Sequence, residues 1–199
     1  MQAPGPSDAL LVVDVQNDFL PGGALGVAGG DAIIAPLNRM LAAWRRHGLP
    51  VFLSRDWHPA GHCSFAAQGG PWPEHCVAGS PGAEFSRQLT TSSADIVISK
   101  ATRADQDAYS ALDGTPLADA LLARGITRLF VGGLATDYCV RATGLDARRA
   151  GLEVVVLADA VCAVNVQPGD GDRALAELVT AGCELATTSD TLQAMEAAA

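Results

Sequence analysis

Residues 129–158 read LFVGGLATDYCVRATGLDARRAGLEVVVLA. A short apolar run, Leu129 to Leu134, meets a tight turn; Tyr138 to Ala150 then reads as a helix that Gly151 stops, and Val154 to Ala158 is a second apolar run. Continuous apolar runs of this length mark strands covered on both faces. Two such strands joined by a helix lie parallel, because parallel neighbours need a crossover connection and the helix supplies it. This one unit places the chain in the α/β class.

The same alternation extends both ways. Upstream, Ala9 to Val15 is a first apolar strand, and Asp31 to His47 carries Ile34, Leu37, Leu41 and Trp44 at helical spacing before Gly48 closes it. Val51 to Ser54 and Ile96 to Ser99 read as strands, and Pro116 to Arg124 as a helix. Downstream, Asp172 to Ala181 is a helix, Cys183 to Thr187 a sixth strand, and a last short helix follows Ser189. The expected fold is one three-layer domain over residues 1–199: a doubly wound, mostly parallel six-stranded sheet with helices on both faces. The exception to the rhythm is a stretch at about 56–93 rich in Gly, Pro, His and Trp, and loops of that length in compact domains tend to be functional.

Composition narrows the function. The chain is 49% hydrophobic and 18% charged, which suits a folded core. It has no apolar run long enough to span a bilayer. A formal net charge of -9 argues against nucleic acid or an anionic membrane as partner, since both need surplus Lys and Arg. The expected partner is a small molecule, and the sequence leaves the oligomeric state undecided. The start lacks a basic and apolar leader, and five cysteines without a C-x-x-C pair fit a reducing cytoplasm.

In open α/β sheets ligands bind beyond the carboxyl ends of the strands. Asp14, near the end of the first strand, and Asp56, Lys100 and Cys139, which follow the second, third and fourth, all fall there. Cys139 stands at a strand-to-helix turn where Thr136 or Asp137 is placed to cap the helix. The helix dipole there favours a thiolate, and free backbone amides can receive an oxyanion. Asp14 could serve as general base for the thiol, with Lys100 as its buried partner. The alternatives are a packing cysteine and a structural ion pair. In Asp56-Trp57-His58, residues i and i+2 of an extended segment face one ion, and His75 adds a second nitrogen. A set without thiolate suits zinc, iron(II) or manganese, with positions left open. His62 lies in the same loop as a further ligand, a supporting donor or a substrate contact; spacing does not decide.

These residues resemble the nicotinamidases of the isochorismatase-like cysteine hydrolase superfamily, over nearly the whole chain. The anchors are Asp14-Val15-Gln16-Asn17-Asp18-Phe19, Arg55-Asp56-Trp57-His58-Pro59, Trp72-Pro73-Glu74-His75-Cys76, Asp107-Ala108-Tyr109-Ser110 after Lys100, and Gly133-Leu134-Ala135-Thr136-Asp137-Tyr138-Cys139-Val140. The resemblance implies a catalytic triad of Asp14, Lys100 and Cys139, and an oxyanion hole from the amides of Ala135 and Cys139. It also implies a cis peptide at Leu134-Ala135 and one divalent ion, zinc first with iron or manganese as alternatives, on Asp56, His58 and His75, with His62 as a ligand in some members. Phe19, Leu25, Trp72, Tyr109, Leu134 and Tyr138 would form the substrate pocket. The implied reaction is hydrolysis of nicotinamide to nicotinate and ammonia through a thioester, with pyrazinamide as a second substrate; another small amide, handled by a different enzyme of the superfamily, is the alternative.

Overall fold

Six short strands carry the apolar runs. They are β1 (Asp8–Val13), β2 (Val51–Asp56), β3 (Ile96–Lys100), β4 (Arg128–Leu134), β5 (Glu153–Cys162) and β6 (Glu184–Ala186). In the computed structural model, which describes residues 2–198, they form one sheet in the order β3-β2-β1-β4-β5-β6. Every neighbouring pair is parallel. The expected doubly wound α/β sheet is thus the observed one; the two ends of the expected domain, residues 1 and 199, lie outside the described residues.

Side-chain alternation builds two cores, one on each face of the sheet. Leu10, Val12, Leu53, Phe130 and Val155 point to the face covered by α1 (Ile34–Arg46) and α5 (Thr188–Ala197). Leu11, Val13, Phe52, Leu129 and Val131 point to the opposite face, covered by α2 (Leu117–Leu122), α3 (Arg141–Arg149) and α4 (Asp170–Thr180). Burial of both faces explains why the strands read as unbroken apolar runs. The helix α1 ends where expected, with Gly48 in the left-handed region at φ 67°. No helix among the described residues is long and apolar enough to cross a membrane.

Most element boundaries shift by one or two residues, β1 ending at Val13 and β2 running on to Asp56, and two differ by more. The helix expected at Tyr138 to Ala150 begins as a π turn over Thr136–Val140, and only Arg141–Arg149 is α-helical. Such turns widen a helix locally and are frequent at functional sites. Strand β5 runs four residues beyond its expected end at Ala158, to Cys162, with a register shift against β4 between Val131 and Gly133. The stretch at 56–93 is not a regular element either, but it is pinned. Bridges pair His58 with Val77 and Phe65 with Trp72, and the Cys76 amide donates to the Asp18 carboxylate at 2.7 Å. These ties fold the loop back toward the segment that follows β1.

The strand order reverses direction between β1 and β4. At such a switch point the connections leave to opposite faces and open a crevice at the carboxyl edge. Gly133 makes the closest approach there: its φ is 126°, and a Cβ would overlap the Val13 carbonyl. Only glycine permits both.

Candidate active site

Four strand ends deliver four side chains to this crevice. Asp14 follows β1, Asp56 ends β2, Lys100 ends β3, and Cys139 sits on the π turn after β4. Adjacent strands pair Asp56 directly with Lys100. The Lys100 ammonium is wholly buried and acts as the hub. Its Nζ lies 3.1 Å from Asp14 Oδ2, donates to Asp56 Oδ1, donates to the Ala108 carbonyl at 3.2 Å, and reaches Cys139 Sγ at 3.5 Å. Asp14 Oδ1 accepts a hydrogen bond from the Ser54 hydroxyl at 2.7 Å. A carboxylate behind so apolar a strand is tolerable only with such partners.

The electrostatics follow from burial set against this hub. Burial would drive Lys100 toward neutrality, but Asp14 and Asp56 outweigh it and hold its pKa well above the usual value. Burial also pushes both carboxyls up. For Asp14 it wins and the pKa is raised; for Asp56 the Lys100 charge and the contact with His58 win and the pKa is lowered. Cys139 is pushed well above the ordinary thiol range, first by burial and then by the two carboxylates, with Lys100 opposing. This corrects the expectation of a dipole-stabilised thiolate. The expected cap is absent as well, since neither Thr136 nor Asp137 bonds to the turn's own amides. Burial and the carboxylates thus favour the protonated thiol, next to a carboxylate that can take its proton.

The metal-type set also assembles. One ligand atom each from Asp56, His58 and His75 lie within 4.8 Å of one another. A carbonyl only accepts, so His75 Nδ1 donates to the Pro73 carbonyl (2.7 Å) and His58 Nδ1 to that of Ala101 (3.3 Å). Each ring therefore keeps its Nε2 lone pair, as a metal ligand requires. His58 Nε2 is buried without a hydrogen-bond partner, 3.5 Å from Asp56 Oδ2. A bare basic nitrogen facing a carboxylate oxygen in the interior is costly without a cation, so these residues fit a divalent ion. Asp14, Asp56 and Cys139 form a second cluster of the same size, but the Lys100 ammonium already bonds to it. His62 does not join the first set: its Nδ1 faces the Ser64 hydroxyl at 2.7 Å and its Nε2 the Gln106 carbonyl at 3.1 Å. It stacks on His58 instead, 4.3 Å between ring centroids.

A pocket of ≈ 500 Å³, counted to its open mouth, joins the two groups. Phe19, Leu25, Trp72, Tyr109 and Tyr138 line it as expected, together with Ala135, Cys139, Asp56, His58 and His75. The Trp72 indole donates to the Tyr109 hydroxyl at 2.9 Å, and both rings stand against Tyr138. Leu134 departs from expectation. It is fully buried in the core on the α1 side and does not line the pocket, because the strand's alternation turns it away from the mouth. The Leu134-Ala135 peptide is cis, as the resemblance implies.

Several contributors receive no role from the sequence. Val27, Ser64, Asp107 and Val164 also line the pocket. Gln16 is fully buried and frames Asp56: its Nε2 donates to the Asp56 and Ala83 carbonyls (2.7 and 2.9 Å) and its Oε1 accepts from the Asp56 amide (2.8 Å). An uncharged polar residue two positions after a buried carboxylate was the available signal. Asp14, Cys76 and Ala101 take left-handed backbones at φ 50°, 46° and 49°. Non-glycine residues there store roughly 1–3 kcal/mol each, and all three lie in or beside the site.

The Isochorismatase domain model matches residues 8–190. A nicotinamidase of Escherichia coli (strain K12) is 40% identical over 206 residues, covering 93% of this chain and 97% of its own. Among solved structures, a pyrazinamidase of Pyrococcus horikoshii in complex with zinc superposes with a TM-score of 0.88 at 46% identity, covering 92% of this chain and 99% of the other. PnC1 from L. infantum in complex with nicotinate superposes with a TM-score of 0.86 at 39% identity, covering 95% and 96%. With the sheet order, the strand-end cluster and this match agreeing over nearly its full length, the chain belongs to the isochorismatase family.

Proposed function

We propose that this chain is a metal-dependent cysteine amidohydrolase that converts nicotinamide to nicotinate and ammonia, and that it also hydrolyses pyrazinamide. The supporting observation is that one aromatic-walled pocket opens onto both the Cys139 thiol and the Asp56, His58 and His75 set. The zinc of the Pyrococcus relative and the nicotinate of the L. infantum relative agree with it. The five cysteines are all free thiols, in keeping with a cytoplasmic setting.

Residues of the chain account for each proton and bond. Asp14 takes the proton of the Cys139 thiol as the sulfur attacks the carboxamide carbon. The backbone amides of Ala135 and Cys139 receive the oxyanion. Collapse breaks the C–N bond, and Asp14 returns its proton to the departing ammonia. Asp14 then takes a proton from water, which attacks the thioester; nicotinate leaves and Cys139 recovers its proton. Lys100 stays an ammonium throughout and steadies the negative charge as it moves between carboxylate and sulfur. A zinc ion, or iron(II) or manganese, held by Asp56, His58 and His75 would supply a Lewis-acid contact for a ring nitrogen. Phe19, Trp72, Tyr109 and Tyr138 supply flat walls for the ring, while Leu25 adds an aliphatic contact.

The test is ammonia release from nicotinamide, pyrazinamide and simple aliphatic amides. Turnover of the first two is expected, falling to background in a folded Cys139→Ala variant. Preference for aliphatic amides, or appreciable activity left in that variant, would overturn the reading.

A further inference from the structure

Residues 163–169, between β5 and α4, carry no nucleophile or metal-type ligand, yet Val164 lines the pocket. The contact that holds it there comes from the turn bearing Cys139. The Asp137 carboxylate does not cap its own turn. Its Oδ1 accepts the Val164 amide at 2.9 Å and its Oδ2 the Asn165 amide at 2.8 Å. Two successive amides thus close on one carboxylate, a paired arrangement stronger than neutral hydrogen bonds.

The segment is set to make this contact. Asn165 takes a left-handed backbone at φ 55°, and its side-chain oxygen accepts the Gly171 amide at 2.9 Å. A Cβ at Gly171 would come within 2.6 Å of the Ala163 Cβ, so the segment returns tightly upon itself. The residue after Asp137 is Tyr138, another part of the pocket wall. One short turn therefore carries Cys139, presents an aromatic wall, and fastens a further wall that arrives from β5.

We propose that Asp137 is a positioning residue whose carboxylate fixes Val164 against the ring pocket and so sets which rings the pocket admits. This rests on the amidohydrolase reading above. Asp137 touches neither Lys100 nor Asp14, so its removal should act on ring binding rather than on the bond-breaking steps.

The experiment compares the parent protein with Asp137→Ala, Asp137→Asn and Val164→Ala. Each is assayed for ammonia release from nicotinamide and from ring-methylated nicotinamides. For Asp137→Ala, loss of two charge-assisted bonds predicts a rise in KM for nicotinamide of about tenfold, with kcat within about threefold of the parent. Preference for nicotinamide over the bulkier methylated rings should narrow. Asp137→Asn retains one accepting oxygen and should recover part of the KM. Val164→Ala should loosen ring preference in the same direction, and it decides the matter if Asp137→Ala does not fold. A parent that releases no ammonia from nicotinamide removes both this inference and the reading beneath it. An active parent whose Asp137→Ala or Val164→Ala variant keeps the parental KM and ring preference overturns this inference alone. So does a fall in kcat without a change in KM that asparagine does not rescue.

Discussion

Replacing Lys100 with methionine keeps most of the side chain's bulk and deletes its charge. Lys100 Nζ is 3.1 Å from Asp14 and bonded to Asp56, with all three side chains almost wholly out of solvent. At an effective dielectric constant of about 20, the Asp14 attraction is worth about 5 kcal/mol, and desolvation of the ammonium offsets much of it. Deleting the ammonium is worse than never having had it, because two carboxyls then share one interior without a cation. Breaking a buried pair in this way costs about 3–5 kcal/mol, against a total stability of about 5–15 kcal/mol. For a chain of 199 residues the midpoint of thermal unfolding should fall by roughly 6–20 °C.

The pH dependence gives the sharper check. Asp56, whose pKa is lowered in the fold, contributes stability above the unfolded carboxyl value and loses it as pH falls through the folded one. Asp14, whose pKa is raised by burial, contributes below the unfolded value and loses its contribution as pH rises through the folded one. Without Lys100 both carboxyls move up. The variant's deficit should then be largest near neutrality and shrink as pH falls through the carboxyl range, where protonation removes the unpaired charge. Urea unfolding followed by circular dichroism, on chelator-treated parent and Lys100→Met at about pH 7 and about pH 5, measures it with no divalent ion sharing Asp56. A deficit below about 1 kcal/mol at neutrality, or one that does not shrink on acidification, would refute the hub role of Lys100.

Other expectations concern the pocket. Chelation, or His75→Ala, should remove the bound divalent ion and sharply reduce nicotinamide turnover, as elemental analysis and the ammonia assay will record; an ion retained at full stoichiometry in His75→Ala would exclude this residue as a ligand. Because burial and the carboxylates raise the Cys139 thiol, its alkylation by iodoacetamide, followed by peptide mass spectrometry, should keep accelerating with pH beyond the ordinary thiol range. A plateau near neutral pH would favour a resting thiolate instead. Tyr109→Phe loses the 2.9 Å bond from Trp72 and should raise KM by about two- to tenfold at little cost in stability. Unchanged KM would mean that Trp72 is held by packing alone.

The site's members were legible because each follows a strand. A charged residue at or just past the end of an apolar run, as at Asp14, Asp56 and Lys100, locates a polar group on the sheet's edge before any coordinate is known. The parts that were not legible depend on relations between strands or on long-range docking. The bond from Lys100 to Asp56 requires β2 and β3 to be neighbours in register, which local pattern does not state. Asp137 has the composition of a helix cap, but its carboxylate is drawn off by amides 27 and 28 positions away. His62 fits a ligand by type and place, yet both its ring nitrogens face partners, one of them the distant Gln106 carbonyl. Leu134 departs from expectation for a simpler reason: adjacent strand residues face opposite ways, and the turn to Ala135 decides which one meets the pocket.

The central pairing of β1 with β4 joins Asp8 to Arg128, 120 positions apart. During synthesis, β1 therefore waits through three-fifths of the chain before its second neighbour exists, with one edge unpaired until then. Pairing at such separation is slow because loop closure precedes any gain from contact. Asp14 and Cys139 meet only when that closure is complete. In a refolding experiment, hydrolytic activity should accordingly return later than helical signal, and its return would time the closing of the whole sheet.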